Sequence, residues 1–326
     1  MVGANESFQG DTPSPNVSVV IPCYDAQATI ASAIKSVLNQ TFEDFEVIVV
    51  DDGSRDSSRG IVQTLAAHDK RIRFAAQVNS GPSAARNRGT NLARAPIVAF
   101  LDSDDLWTAS HLARHVDALN ARPGLGISFS PCEIIDAAGA LTGERSRVWQ
   151  GDLEPEDLLG GNPTSTCSAL VVRRHVFTDI GLMRENMSFA EDQDWLFRVA
   201  LSDWKIGSIG ERTVRYRTSP GGLSSNSANM LKGWQTFINH AREFAPELVK
   251  GHIARATAQI HIYHARRAIQ TGQPAHIARG HLAAAFSASP RTISARPVHF
   301  AALTGAALAP GFASQAIKMI RGFRHA

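Results

Sequence analysis

Residues 100–107 read FLDSDDLW, an apolar run that ends in three carboxylates within four positions. Asp102, Asp104 and Asp105 repel one another at neutral pH, so a positive partner belongs beside them. Two aspartates at i and i+2 on a tight turn can share one hard divalent ion, directly or through water. Mg2+ or Mn2+ held in this way typically keeps substrate phosphates as further ligands. The alternative is a solvated acidic turn that caps the helix after it.

Three other stretches carry residues that could do chemistry. Asp51 and Asp52 close the run EVIVVDDGS before Gly53. A carboxylate there can accept hydrogen bonds from a nucleotide base or ribose, or can serve the turn alone, as Asp-Gly-Ser sequences often do. GPSAARNRG places Arg86 and Asn87 in a small-residue segment that opens a helix. Small residues let backbone approach a ligand, and a helix N-terminus favours phosphate. Arg86 can pair with a diphosphate, with the aspartates, or with a surface carboxylate. Glu191, Asp192 and Asp194 lie beside Trp195 in FAEDQDW. Acidic residues in a first helical turn suit the macrodipole; two adjacent carboxylates can also provide a general base of raised pKa.

The elements that must position these residues alternate. VSVVIP (17–22), FEVIVVDDGS (45–54), PIVAFL (96–101) and GISFS (126–130) read as strands. Between them, Ile30, Ala33, Ile34, Val37 and Leu38 recur at helical spacing, as do Ile61, Val62 and Leu65 behind Ser54 or Asp56 as N-cap, and Leu112, Val116 and Leu119. Residues 81–94 supply a further helix. Strands that are apolar throughout and alternate with helices predict a parallel sheet covered on both faces. Ligands of such sheets bind beyond the carboxyl ends of the strands, where Pro22, Tyr24, Asp51, Asp52 and Asp102 to Asp105 all fall. Further on, 168–174 and 213–217 read as strands, 189–201 as a helix and 219–227 as a loop. From Ala228 the chain reads as helical, with Met230, Leu231, Trp234, Phe237, Ile238, Ala241 and Phe244 in one stripe. Val249, Ile253, Ala256, Ile260 and Tyr263 mark a second helix, and 272–290 has the look of half of a helix-pair repeat.

In this order and spacing, VSVVIPCYDA, EVIVVDDGSRD, GPSAARNRG, FLDSDDLW, FAEDQDW and VRYR resemble the family 2 inverting glycosyltransferases, over about residues 16–227. The resemblance implies the GT-A nucleotide-diphospho-sugar transferase fold, a Rossmann-like, mostly parallel sheet with helices on both faces. It implies that Pro22 and Tyr24 line a nucleotide pocket, that Asp52 or Asp51 contacts base or ribose, and that Asp102 holds ribose or donor sugar. Asp104 is then directed at Mn2+ or Mg2+ on the diphosphate, with Asp102 reaching the ion through water. Asp192 is the general base, Glu191 and Trp195 border the acceptor, and Arg217 with the SPGGLSS loop closes over the donor. Arg86 stands on the donor side. Two positions depart from the family pattern. Ser219 stands where members often carry a metal-reaching histidine, and Asp25 stands where many carry Asn.

The resulting expectation is a metal-dependent, inverting hexosyltransferase. It would move sugar from a nucleotide-diphosphate donor, UDP-sugar foremost, to a hydroxyl of a glycan or lipid-linked acceptor in surface or extracellular polysaccharide synthesis. A non-catalytic sugar-nucleotide-binding module is the alternative. A phosphatase of the haloacid dehalogenase type would place its nucleophile in the first strand, and a dinucleotide oxidoreductase would carry G-x-G-x-x-G after it. IPCYDAQAT satisfies neither.

Composition sets the frame. The 326 residues are 44% hydrophobic and 19% charged, which suits a globular protein of about two domains. We expect a disordered tail (1–15), a catalytic domain (16–227) and a basic helical region (228–326). The first sixteen residues lack the basic start and apolar core of a signal peptide. No run reaches the length of a membrane span. Cys23, Cys132 and Cys167 are widely spaced, which argues against a disulfide framework or zinc site and for a reducing, cytoplasmic compartment. Net charge is +3, but from Asn226 onward twelve Lys and Arg face only Glu243 and Glu247, a net +10, against −7 before it. Such a region either docks peripherally on anionic lipid at the inner face of the membrane, or is a solvated helical face that pads the core or forms a homodimer. No nucleic-acid-binding module is visible.

Overall fold

The computed structural model describes residues 14–187, 189–218, 227–295 and 297–308. Ser219 and the SPGGLSS loop lie outside the described residues, as does most of the expected N-terminal tail. The described residues fall into two compact units. One lies within Met1–Glu154 and Pro163–Gly222, the other within Pro155–Asn162 and Leu223–Ala326.

The first unit opens with β1 (Val17–Cys23), α1 (Ile30–Leu38), β2 (Phe45–Asp51), α2 (Ser58–His68), β3 (Ile72–Ala76), α3 (Pro82–Leu92), β4 (Ile97–Phe100), β5 (Leu106–Trp107), α4 (His111–Ala121) and β6 (Leu125–Phe129). After β7 (Cys132–Ile135) and β8 (Leu141–Arg145), the chain makes α5 (Pro155–Leu159), which belongs to the second unit. It then returns as β9 (Leu170–Arg173), α6 (His175–Ile180), α7 (Glu191–Ala200), β10 (Lys205–Ser208) and β11 (Val214–Arg217).

Seven strands form the main sheet in the order β10-β6-β9-β4-β1-β2-β3. Every residue of β1 and β2 is buried, as strands covered on both faces require. The apolar stripe of α1 faces this core through Ile30, Ala33, Ile34 and Val37. Helix α3 lies so close to β1 that a Cβ on Gly89 would overlap Val20 Cγ1. The sheet is mostly parallel, as expected, with β9 as the exception: it runs antiparallel to both β4 and β6. The start of β9 therefore sits at the edge where β4 ends. β3 was not foreseen: only Ile72 and Ala75 of its five residues are buried, so its apolar signal is weak. A second, four-stranded sheet has the order β5-β11-β7-β8.

The second unit is helical: α5 with α8 (Ser227–Phe244), α9 (Pro246–Gln270), α10 (Ala275–Ala288), α11 (Pro290–Ser294) and α12 (Pro297–Leu308). Trp234, Phe237, Ile238 and Ala241 of the expected stripe are buried, while Phe244 is exposed. Trp234 donates its indole N–H to the Leu159 carbonyl at 2.7 Å. Ala265, Ala268, Ala278, Leu282, Leu303 and Ala307 form the core between α9, α10 and α12. Among the described residues no helix is long and apolar enough to cross a membrane.

Candidate active site

The carboxyl edge of the main sheet gathers most of the residues that the sequence singles out. At the end of β2 the two aspartates are buried and turn to different tasks. Asp51 pairs with Arg59 of α2 at 2.7 Å and accepts from the Ser54 N–H at 3.2 Å. It is 1% exposed, and both of these contacts are internal to the protein. Asp52 organises the loop before α3. Its Oδ1 accepts from Gln77 Nε2 and Ser80 N, each at 2.8 Å, and its Oδ2 from Gly81 N at 2.9 Å. Gly53, at φ 78°, lets this loop approach: a Cβ there would stand 2.9 Å from Asn79 N. Of the first-strand residues, Pro22 is buried while Tyr24 is 43% exposed at the same edge. Asp25 has φ 46°, a left-handed conformation that Asn and Asp tolerate better than most residues, so the exchange of one for the other at this position has a backbone reason.

Arg86 is the centre of the site. Its α3 position buries it to 6% exposure, and its guanidinium joins two distant carboxylates. Nη2 donates to Asp102 Oδ1 at 2.6 Å and Nη1 to Glu191 Oε1 at 3.2 Å. Burial disfavours the Arg86 charge, but the facing Asp102 and Glu191 outweigh it, so the guanidinium stays protonated. Asn87, one residue on, fixes the approach to α7. It donates to the Met183 carbonyl at 2.8 Å and to Glu185 at 2.9 Å, and accepts from Met183 N at 3.1 Å.

The turn after β4 divides its carboxylates. Asp105 is fully buried, accepting from Ser168 Oγ at 2.6 Å and from the Arg217 N–H at 2.8 Å. It is therefore a structural residue, not one of the exposed negative charges that its sequence neighbours suggested. Asp102 faces Arg86 and also accepts from Thr166 Oγ1 at 3.2 Å. Among the described residues no side chain donates to the Asp104 carboxylate. Burial, and then the neighbouring Asp102, push its pKa up to about 6. Thr166 and Ser168 were not expected here. Ser168 Oγ accepts from Asp102 N at 2.9 Å, and its carbonyl accepts from the Trp107 indole at 2.8 Å.

Helix α7 begins at Glu191 behind Ala190, whose φ of 61° is left-handed. Burial, and then Asp192, raise the Glu191 pKa to about 7, against the opposing pull of Arg86. The charges of Asp192, Asp102 and Glu191 all reach the buried Cys167 thiol, so Asp192 lies in the same electrostatic neighbourhood. Trp195, expected at an acceptor, is completely buried. It stacks on Phe177 at 4.7 Å and donates to the Gly181 carbonyl at 2.8 Å, so it packs the core and presents no surface. Asp194 is likewise inward, bound by Arg184 and Arg198. Arg217, expected over a donor, spends Nε on the Asp104 carbonyl and Nη1 on the Asp136 and Ala137 carbonyls.

The parallel core, the reversed β9 and the carboxylate turn together define an α/β protein of the GT-A type. Residues 18–179 match the model of Glycosyl transferase family 2, and the chain belongs to that family. It is 36% identical over 134 residues to a GalNAc(5)-diNAcBac-PP-undecaprenol beta-1,3-glucosyltransferase of Campylobacter jejuni, covering 40% of this chain and 42% of that one. The match thus spans less than half the length of that relative. A UDP-Glc:alpha-D-GlcNAc-diphosphoundecaprenol beta-1,3-glucosyltransferase of Escherichia coli is 29% identical over 223 residues, 66% of this chain and 82% of the other. Among solved structures, a mannosyltransferase of Pyrobaculum calidifontis in complex with GDP-Man and Mn2+ shares the fold. Its TM-score is 0.58 at 20% identity, with 98% of this chain and 88% of that one covered.

Proposed function

We propose that this protein is an inverting glycosyltransferase that uses a nucleotide-diphosphate sugar, UDP-sugar foremost, and a hydroxyl of a glycan or lipid-linked acceptor. The observation that carries the reading is the single guanidinium of Arg86 bonded to both Asp102 and Glu191. It ties the carboxylate turn to the start of α7, so donor-side and acceptor-side groups share one place. The names of the Campylobacter and Escherichia relatives, which specify undecaprenol-linked acceptors, support the acceptor class.

In this reading Asp52 shapes the base-binding loop, and the acceptor capacity left on its Oδ2 suits an N–H of the base. Pro22 and Tyr24 line the same edge. Asp102, held by Arg86 and Thr166, receives a ribose or sugar hydroxyl. Asp192 takes the proton of the acceptor hydroxyl as that oxygen attacks the anomeric carbon from the face opposite the diphosphate. The new C–O bond forms as the bond to the diphosphate breaks, and the electron pair leaves with the diphosphate. One displacement inverts the anomeric centre. Glu191 keeps Arg86 in place beside this exchange.

The residues present fit a divalent cation of the Mg2+ or Mn2+ kind. Asp104 offers a hard carboxylate to which no described side chain donates; burial first, and then the charge of Asp102, raise its pKa, and a cation would offset both. No group of three protein ligands stands together among the described residues, so diphosphate oxygens and water would complete the sphere. Asp104 would hold the ion, with Asp102 beside it. When bound, such an ion supplies charge neutralisation for the departing diphosphate. The excess positive charge beyond Asn226 supports peripheral contact with anionic lipid, which flotation with anionic and neutral vesicles tests.

The deciding experiment is a panel of nucleotide sugars with and without Mn2+, scored by thermal stabilisation and by turnover. Asp192→Ala retaining donor binding while losing transfer upholds the enzyme. Binding with no turnover by the intact protein, across donors and undecaprenol-linked acceptors, points to a binding module instead.

A further inference from the structure

We propose that Arg217 is a positioning residue for the cation-bearing turn and not a ligand of the donor; this rests on the glycosyltransferase reading above. Arg217 ends β11 and is 9% exposed. Its own N–H is bound by the buried Asp105 at 2.8 Å. Nε donates to the Asp104 carbonyl at 2.6 Å, while Nη1 donates to the Asp136 carbonyl at 3.1 Å and to the Ala137 carbonyl at 2.9 Å. One residue therefore ties the backbone of Asp104 to the turn between β7 and β8.

The bonding pattern explains why arginine stands here. All three side-chain acceptors are neutral carbonyls, aligned with a planar fork of donors. An ammonium is a point charge and cannot span carbonyls on two separate turns in fixed directions. The far turn depends on a glycine. Gly139 holds φ 90°, which a residue with a Cβ adopts only under strain, and it lies beside Arg217 Nη1, which a Cβ would meet at ordinary contact distance. Asp136 anchors that turn by accepting from the Ala140 N–H at 2.9 Å. Strand pairing closes the frame, since Arg217 lies opposite Ile135 in register and Thr218 N donates to the Ile135 carbonyl at 3.0 Å. Asp104, to whose carboxylate no described side chain donates a hydrogen bond, is thus held through its backbone, with the charge of the same guanidinium favouring its ionised form. Second-layer residues of this kind set metal affinity by fixing the direction of the ligand.

The test separates metal binding from nucleotide binding. Affinity for UDP, or for GDP where UDP does not bind, is measured by calorimetry in EDTA. Mn2+ affinity is then measured in the presence of saturating nucleotide. We expect Arg217→Lys to weaken Mn2+ by about 10–100-fold while nucleotide affinity in EDTA stays at the parent value. Gly139→Ala, which disturbs the receiving turn and touches no ligand, should shift Mn2+ affinity in the same direction, and it decides the matter if Arg217→Lys does not fold. The proposal is overturned if Arg217→Lys lowers nucleotide affinity in EDTA, which would make Arg217 a donor ligand, or if both variants bind Mn2+ like the parent. A parent protein that binds no nucleotide at all would instead remove the glycosyltransferase reading, and this proposal with it.

Discussion

Asp102 and Glu191 bind the same guanidinium, at 2.6 and 3.2 Å, although one follows a central strand and the other opens a helix far along the chain. Removing that guanidinium leaves two mutually repelling carboxylates in a largely buried setting. Arg86→Ala should therefore lower stability by roughly 3–5 kcal/mol, the usual result of breaking a buried pair, as read from urea denaturation. Arg86→Lys should recover only part of the loss, because one ammonium cannot serve both carboxylates in the same geometry.

Asp192 is the proposed base. Asp192→Asn should reduce transfer by about 100- to 10,000-fold, the range that general-base catalysis supplies, with nucleotide affinity close to the parent. Glu191→Gln should act differently. It weakens the hold on Arg86 but leaves the base in place, so a smaller loss of transfer is expected. A larger loss in Glu191→Gln than in Asp192→Asn would argue that Glu191, not Asp192, takes the proton.

Chelation tests the cation. EDTA should abolish transfer, and Mn2+ or Mg2+ should restore it. Asp104→Asn should raise the Mn2+ concentration needed for half-maximal activity by at least about tenfold, since a neutral amide is a poorer partner for a hard ion. Full activity in EDTA would remove the metal from the reading.

The pH dependence of stability follows from Glu191, whose pKa is raised from 4.5 to about 7 by burial and Asp192. Between these values the folded protein keeps a proton that the unfolded chain has released. Its stabilising share is therefore complete below 4.5 and lost as pH rises towards about 7. Glu191→Gln should flatten that slope in metal-free protein. Asp104, raised to about 6, adds slope of the same sign and should remain in the Glu191→Gln variant.

Ala190 holds φ 61° immediately before α7. A left-handed conformation costs an L-residue with a Cβ roughly 1–2 kcal/mol, while glycine adopts it freely. Ala190→Gly should leave the fold intact and raise stability by up to about 1 kcal/mol, after the added entropy of the unfolded chain is offset. Ala190→Val should be clearly destabilising, and thermal melts of the pair provide the check.

The parts of the site that could be read from the sequence were those carried by parallel strands. Asp52, Asp102 and Asp104 follow apolar runs, and the rule that ligands gather at carboxyl ends places them without coordinates. Thr166 and Ser168 escaped for the same reason. In an all-parallel sheet, residues ahead of a strand lie at the opposite edge. The reversal of β9 brings them back beside Asp102, and nothing in TSTCSALVV signals direction. Side-chain fate was harder still. Asp105 and Trp195 sit within motifs of reactive type, yet both are fully buried, because a helix or turn that presents one residue to a ligand must turn its neighbours inward. Adjacent aspartates in one string cannot show which faces which way.

The helical unit takes its residues from two separate places in the chain, Pro155–Asn162 and the stretch from Leu223 onward. Leu158 and Leu159 of α5 are fully buried, and Leu159 receives the Trp234 indole. A stop codon after residue 222 would thus strand a short apolar insert in the middle of the remaining chain. Recombination between relatives meets the same obstacle: a new C-terminal half must arrive with its own matching insert, so the two segments have to be inherited, or engineered, as a pair.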